Sequence, residues 1–257
     1  MQKLLTEIHQ KKEQLDKLRP LSQSQVNNLK NVYDIQLTYN SNAIEGSTLT
    51  YSETKLILNE GITIGGKSMN EHLETINHQE AISFIEDMAK IETKEVTLVD
   101  IKNIHHLVLK GIDNKNAGSY RTQNVGVIKS DGSIHNFTDP LKIDEKMNEF
   151  IDWLHTQTIA EPILLAALVH LKFVSIHPFI DGNGRTARLL MNLVLLQNGY
   201  PHAIIKVTNR AEYIQAIEKY QQSSNSDYND YYKVVLQSVN DSLDLYSMIL
   251  TNDIKII

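Results

Sequence analysis

His177-Pro178-Phe179-Ile180-Asp181-Gly182-Asn183-Gly184-Arg185-Thr186-Ala187-Arg188 joins two apolar stretches of a 257-residue chain. Upstream, Ile163-Leu164-Leu165-Ala166-Ala167-Leu168-Val169 is apolar all round, the pattern of a helix buried on every side, and Pro162 suits its first turn. Downstream, Leu189, Leu190, Leu193, Val194 and Leu196 recur with helical spacing until Asn198-Gly199 and Pro201 supply a stop. The twelve residues therefore bridge two core helices, the second beginning near Gly184.

A helix start directs its unpaired N–H groups and the positive end of its dipole outward. Here they face Gly182-Asn183-Gly184, whose glycines let the backbone approach a phosphate that side chains would obstruct. Arg185 and Arg188 are three apart, on neighbouring parts of one helix face, and both can reach phosphate oxygens. Asp181 is a hard carboxylate of the kind Mg²⁺ uses together with substrate phosphates. His177 adds the one side chain type whose ordinary pKa lies near neutrality. Each piece alone has a plainer reading, as a turn, a solvated face or a structural histidine. Together they point to phosphoryl or nucleotidyl transfer from a nucleotide.

The stretch resembles the signature of the Fic (filamentation induced by cAMP) family, His-x-Phe-x-Asp/Glu-Gly-Asn-Gly-Arg-x-x-Arg, at every defined position. The resemblance implies that His177 is a general base for a target hydroxyl and that Asp181 holds Mg²⁺ on the α- and β-phosphates of ATP. Gly182, Asn183, Gly184 and Arg185 would hold the phosphates, and Arg188 would orient the γ-phosphate. The implied enzyme is a protein adenylyltransferase, moving AMP from ATP to a Ser, Thr or Tyr hydroxyl of a target protein with release of pyrophosphate. Members of the Doc branch, which transfer phosphate, carry Lys where this chain has Gly184, and that favours AMP transfer.

Composition narrows the setting. Hydrophobic residues make 41% and charged residues 22%, ordinary values for a soluble globular protein. A formal net charge of −6 argues against nucleic acid as the main partner, because phosphate-backbone binding needs a basic surface. The absence of cysteine removes disulfides, thiolate chemistry and Cys-built zinc sites. No stretch has the core of a signal peptide or the length of a membrane span, so a cytoplasmic protein with no membrane partner is expected. Oligomeric state is not legible, and a homodimer stays open.

Away from the motif, helical periodicity dominates. Arg19-Pro20 interrupts a polar, peripheral opening segment. Leu29, Val32, Tyr33, Ile35 and Tyr39 then predict a helix over about 27–46, with Gly46 at its end. Within it, Ser41-Asn42-Ala43-Ile44-Glu45-Gly46 resembles the family's inhibitory motif, Ser/Thr-x-x-x-Glu-Gly/Asn. Ser41 and Glu45 are one turn apart and share a face. The resemblance implies that Glu45 pairs with Arg188 and occupies the cation meant for the γ-phosphate; taken alone Glu45 reads as a last-turn surface carboxylate, and its place upstream of a full signature favours the inhibitory reading.

Thr50-x-x-Glu53 and Ser68-x-x-Glu71 are capping boxes that open two further helices, and a fourth runs from Thr97 to Gly111. His105 and His106 diverge by about 100° around that last helix, which disfavours joint metal binding. Asn124-Val125-Gly126-Val127-Ile128, Ser130-Asp131-Gly132 and Ser133-Ile134-His135 read as a β-hairpin. Gly118-Ser119-Tyr120-Arg121 before it, with Phe137 and Pro140 after it, resemble the frame of the family's flap, on which a target protein would dock by strand addition over about 124–137. Thr138-Asp139-Pro140 departs from the Pro-Pro pair of many members. Asp139 and Pro140 open a helix through Met147 and Leu154. After the motif, the helix from Arg210 stands where the family closes its adenine pocket. Tyr213, Ile217 and Gln221 at successive turns are candidates for its wall, with core packing an equal reading for the first two. Tyr231 to Leu250 reads as a last helix.

The expectation is an all-α protein with one β-hairpin flap: an N-terminal helical region 1–96 carrying the inhibitory helix, a Fic core over 97–200, and C-terminal helices over 201–257. Rival readings are removal of AMP from a modified protein with Glu45 positioning water, a nucleotide-responsive binding module without turnover, and a metal-dependent phosphohydrolase using His170, His177 and Asp181.

Overall fold

Helices in this chain begin where a side chain can accept an otherwise orphaned N–H. The computed structural model describes residues 1–91, 95–129 and 131–251. After α1 (Gln2–Asp16), capping boxes open four helices in succession: Ser22 with Gln25 opens α2 (Gln23–Ile44), Thr50 with Glu53 opens α3 (Tyr51–Glu60), Ser68 with Glu71 opens α4 (Met69–Ala89), and Thr97 with Asp100 opens α5 (Leu98–Leu109). The inhibitory-motif helix thus starts about a turn before the expected residue 27, at a box that periodicity alone overlooks. Glu45 is its C-cap, and Gly46 breaks away at φ 106°.

The hairpin is short. Strands β1 (Gly126–Ile128) and β2 (Ile134–Asn136) pair antiparallel, with Val127 opposite His135. Ser130, assigned above to the turn, lies outside the described residues. Asp139 then accepts from the Leu141 N–H at the head of a single 3-10 turn, Pro140–Lys142, which feeds α6 (Ile143–Thr156). The motif connects α7 (Pro162–Ile176) to α8 (Asn183–Gln197), and α9 (Arg210–Gln222) and α10 (Asn229–Thr251) complete the chain.

Helices α7 and α8 lie along one another at the centre, with α6, α9 and α10 against α7 and with α2, α4 and α5 against α8. Ala166, Ala167, Leu171 and Phe173 of α7 and Ala187, Met191, Leu193 and Leu195 of α8 are completely enclosed. Both helices therefore read as apolar on most of their circumference. The polar opening segment is more firmly seated than its composition suggests, because Ile8 and Leu15 are buried where α1 packs on α10. No helix among the described residues is long and apolar enough to cross a membrane. The first turn of α8, where the ends of α2, α7 and the α4–α5 pair meet, is the place this packing prepares for chemistry.

Candidate active site

His177 ends α7 in the left-handed backbone region, φ 53° and ψ 60°, while its N–H still donates to the Phe173 carbonyl at 3.0 Å. A residue with a Cβ holds that conformation at a cost of about 1 kcal/mol, so the surroundings must enforce it. They do so from both sides. The Phe137 ring, at the foot of the hairpin, lies on the imidazole with centroids 3.8 Å apart and planes at 13°. Arg121, only 4% exposed, donates from Nε to the His177 carbonyl at 2.9 Å, from Nη1 to the Gln123 carbonyl at 2.6 Å and from Nη2 to the Thr138 carbonyl at 2.5 Å. One guanidinium thus ties the histidine to both feet of the hairpin. Burial pushes the His177 imidazole down to about 4, against the raising influence of the Val174 carbonyl and, more weakly, the Glu45 and Asp181 carboxylates. At neutral pH the ring is uncharged and able to accept a proton.

The loop after it is held from below. Phe179 is fully enclosed and stacks on His105 with centroids 3.6 Å apart and planes at 2°. His105 Nδ1 accepts from the Gly118 N–H at 2.9 Å, which leaves the ring proton on Nε2 to donate to the Asp181 carbonyl at 2.9 Å. His105 is therefore a positioning group for the loop. Gly182 passes so close that a Cβ would sit 3.2 Å from the His105 ring, and its φ of 75° also requires glycine. The Asn183 side chain closes on the Phe179 N–H at 3.0 Å and carbonyl at 2.9 Å. Its side chain shapes the loop, and only its backbone can face a phosphate. No side chain caps α8, so its first-turn amides stay open to an anion. The Asp181 carboxylate stands at the mouth, 68% exposed.

The two motif arginines differ in their partners. Arg185, 3% exposed, donates from Nη1 to Glu74 of α4 at 2.9 Å and from Nη2 to Asp181 at 3.4 Å. Burial raises the Glu74 carboxyl, and the Arg185 charge only partly offsets this. Arg188 is fully engaged: Nε donates to Ser41 Oγ at 3.0 Å, Nη1 to the Tyr213 hydroxyl at 3.2 Å, and Nη2 to the Ser41 carbonyl at 2.9 Å and to Glu45 Oε1 at 2.7 Å. Glu45 keeps one open side, 38% of its side chain, yet is crowded by cations. Burial alone would raise its carboxyl; the charge and hydrogen bond of Arg188, with Arg185 and Arg210 behind, hold it below its ordinary value. Arg210 also donates to the Ile44 carbonyl at 2.7 Å, pinning the last turn of α2 beside the cradle. A Cβ on Gly184 would run into Glu45 Oε1, so this carboxylate lies over the phosphate loop itself.

Of its two readings, Tyr213 takes the core one in this structure. It is 2% exposed, and its hydroxyl joins Arg188 to His170 Nε2, 2.9 Å away, so it supports Arg188 from inside the core and offers no open wall to adenine. Ile217 and Gln221 follow it along α9 in half-buried positions. His170 is completely enclosed on Tyr213 and does not join His177 and Asp181. Among the described residues no three His, Asp or Glu side chains form a metal-binding cluster. Glu74, His105, Arg121 and Arg210 are the additions the structure makes. Arg121 stood within a quoted flap frame, whereas Glu74 lies 111 residues from its partner with no local pattern to mark it.

An anion cradle at a helix start, a neutral histidine beside it and an open carboxylate at its mouth make up the candidate active site. The Fic/DOC family model matches residues 95–195. The chain is 36% identical over 247 residues to the protein adenylyltransferase Fic of Nematostella vectensis, covering 95% of this chain and 56% of that protein, and 39% identical over 184 residues to protein adenylyltransferase fic-1 of Caenorhabditis elegans, covering 70% and 35%. It spans about half the length, or less, of these curated relatives. Among solved structures, a fragment of Fic-1 from C. elegans superposes with a TM-score of 0.83 at 32% identity over 96% of this chain and 71% of that one. A Fic domain containing signaling protein from Bacteroides thetaiotaomicron superposes with a TM-score of 0.88 at 27% identity, covering 97% of each chain. The chain belongs to the Fic/DOC family.

Proposed function

We propose that this protein transfers AMP from ATP to a hydroxyl of a protein target and that its N-terminal region, 1–96, holds the activity in check through Glu45. The observation that carries the reading is the neutral, stacked His177 beside the uncapped start of α8. His177 takes the proton of the attacking hydroxyl as its oxygen bonds to the α-phosphorus, and pyrophosphate leaves on the opposite side. The amides of the Gly182–Gly184 loop stabilise charge on the phosphate oxygens. Arg185 and Arg188 orient the leaving group once their carboxylate partners yield. The exposed Asp181 oxygens, with phosphate oxygens completing the set, fit Mg²⁺. Bound there, the ion would neutralise the α- and β-phosphates. Ile217 and Gln221 flank the adenine, and the flap, whose Ile128 and Ile134 are 78% and 68% exposed, takes the target segment as an added strand.

The test is intact-protein and lysate mass spectrometry after incubation of Glu45→Gly with Mg²⁺ and ATP labelled at the α- or γ-phosphate. Label from the α-position on protein is expected; label from the γ-position alone would overturn the reading. A second reading, removal of AMP with Glu45 positioning water, is supported by one feature: the Glu45 carboxylate lies over Gly184 of the phosphate loop. Release of AMP from a pre-modified target by wild type, lost in Glu45→Gly, would decide for it.

A further inference from the structure

A second cavity, of about 490 Å³, lies between α6, α7 and the end of α9 and is lined by Lys146, Glu149, Phe150, Trp153, Lys172 and Ser175 among others. Its volume is within the range of sites that take a small group or side chain. Its chemistry is asymmetric. Lys146 is neutralised by Glu149 at 2.7 Å, but among the described residues no carboxylate pairs with Lys172. The half-buried Lys172 ammonium lies 4.6 Å from the centre of the Trp153 ring, and burial lowers its pKa. Ser175 Oγ is buried without a hydrogen-bond partner. One uncompensated cation and three aromatic side chains, Phe150, Trp153 and Tyr220, suit a carboxylate on a short aliphatic stem.

The cavity is also beside the chemistry. Thr138 follows Phe137, whose ring lies on His177, and Ser175 and Ile176 run directly into His177. Two walls of the cavity are thus continuous in the chain with the pair of rings that frame the accepting position, Thr138 with Phe137 and Ile176 with His177. We infer that this cavity is a specificity pocket for the protein substrate: it receives an Asp or Glu side chain near the accepting hydroxyl, with Lys172 as charge partner and Trp153 and Phe150 along the stem. The inference rests on the reading of the target as a protein.

Trp153 is the one tryptophan of the chain, so its fluorescence reports on this cavity without a label. The probes are two blocked nine-residue peptides with a central threonine, flanked on both sides by glutamates in one and by glutamines in the other. The glutamate peptide should change Trp153 emission saturably and bind about fivefold tighter than the glutamine peptide, in the range of a partly exposed ion pair and against the net negative charge of the protein. Lys172→Met, which keeps the stem, should bring the two peptides to equal affinity, and Lys172→Arg should restore the preference. Equal binding of the two peptides to wild type, or an undiminished preference in Lys172→Met, would overturn the pocket. No nucleotide enters the measurement. A glutamate preference without any AMP transfer would overturn the proposed function alone, and AMP transfer without the preference would overturn the pocket alone.

Discussion

Glu45→Gly removes the carboxylate that lies over Gly184 and holds Arg188 at 2.7 Å. Two unit charges about 4 Å apart attract by roughly 4 kcal/mol at an effective dielectric near 20. Only part of that opposes nucleotide binding, because 38% of the Glu45 side chain is open to solvent and screening acts on that side. Arg188, 6% exposed, is shielded and also keeps Ser41 and Tyr213 as partners after the change. A working figure is about 1.5–2 kcal/mol, which corresponds to roughly a 10- to 30-fold gain in initial rate. The assay is transfer of α-labelled AMP at ATP well below saturation, with Mg²⁺, by wild type, Glu45→Gly, and Glu45→Gly/Arg188→Ala. Equal rates for the first two would refute the inhibitory role of Glu45. A double variant as fast as the single one would remove Arg188 from the argument.

Replacing His177 by Ala should abolish transfer while calorimetric ATP affinity stays within about twofold, because the base acts on the hydroxyl and not on the phosphates. With His177 pushed down to about 4, the base is deprotonated throughout the neutral range, so the transfer rate should stay level from neutrality until the pH approaches that value; a fall centred near the ordinary histidine pKa would contradict this. His105 and His177 are both lowered to about 4 in the folded protein, so the unfolded chain takes up their protons first as pH falls. Stability should decline from about pH 6.5 toward 4 by roughly 3 kcal/mol for the enclosed His105 alone, and urea midpoints that do not change across that window would contradict it. Gly184→Lys in the Glu45→Gly background should impair transfer, since a side chain enters the space the loop needs to approach phosphate; unchanged rates would discredit the cradle. Arg121→Ala frees three carbonyls at once and should cost about 3 kcal/mol, lower Tm by roughly 6–12 °C and speed hydrogen exchange of the β1–β2 amides; retained flap protection would show that Phe137 alone holds the hairpin.

The sequence by itself determined what is local. The apolar run before Pro178, the periodic run after Gly184, the capping boxes at Thr50-Glu53 and Ser68-Glu71, and the Asp131-Gly132 turn each act over a few residues, so spacing carries the information. The motif is legible for the same reason: a helix start, its glycines and its charged neighbours fall within twelve consecutive residues. Tertiary structure alone decided which charges meet. Arg188 reaches Glu45 across 143 residues, Arg185 reaches Glu74 across 111, and His105 reaches the Asp181 carbonyl across 76. Sharing a helix face made Ser41 and Glu45 a pair but could not say what they faced. Tyr213 shows the limit most clearly. Helical spacing gives the same pattern for a pocket wall and for a core residue, and only the packing of α9 on α7 turned its hydroxyl inward to Arg188 and His170. Periodicity records that a face is buried, whereas the identity of the neighbour depends on how distant helices cross, which no short window of sequence contains.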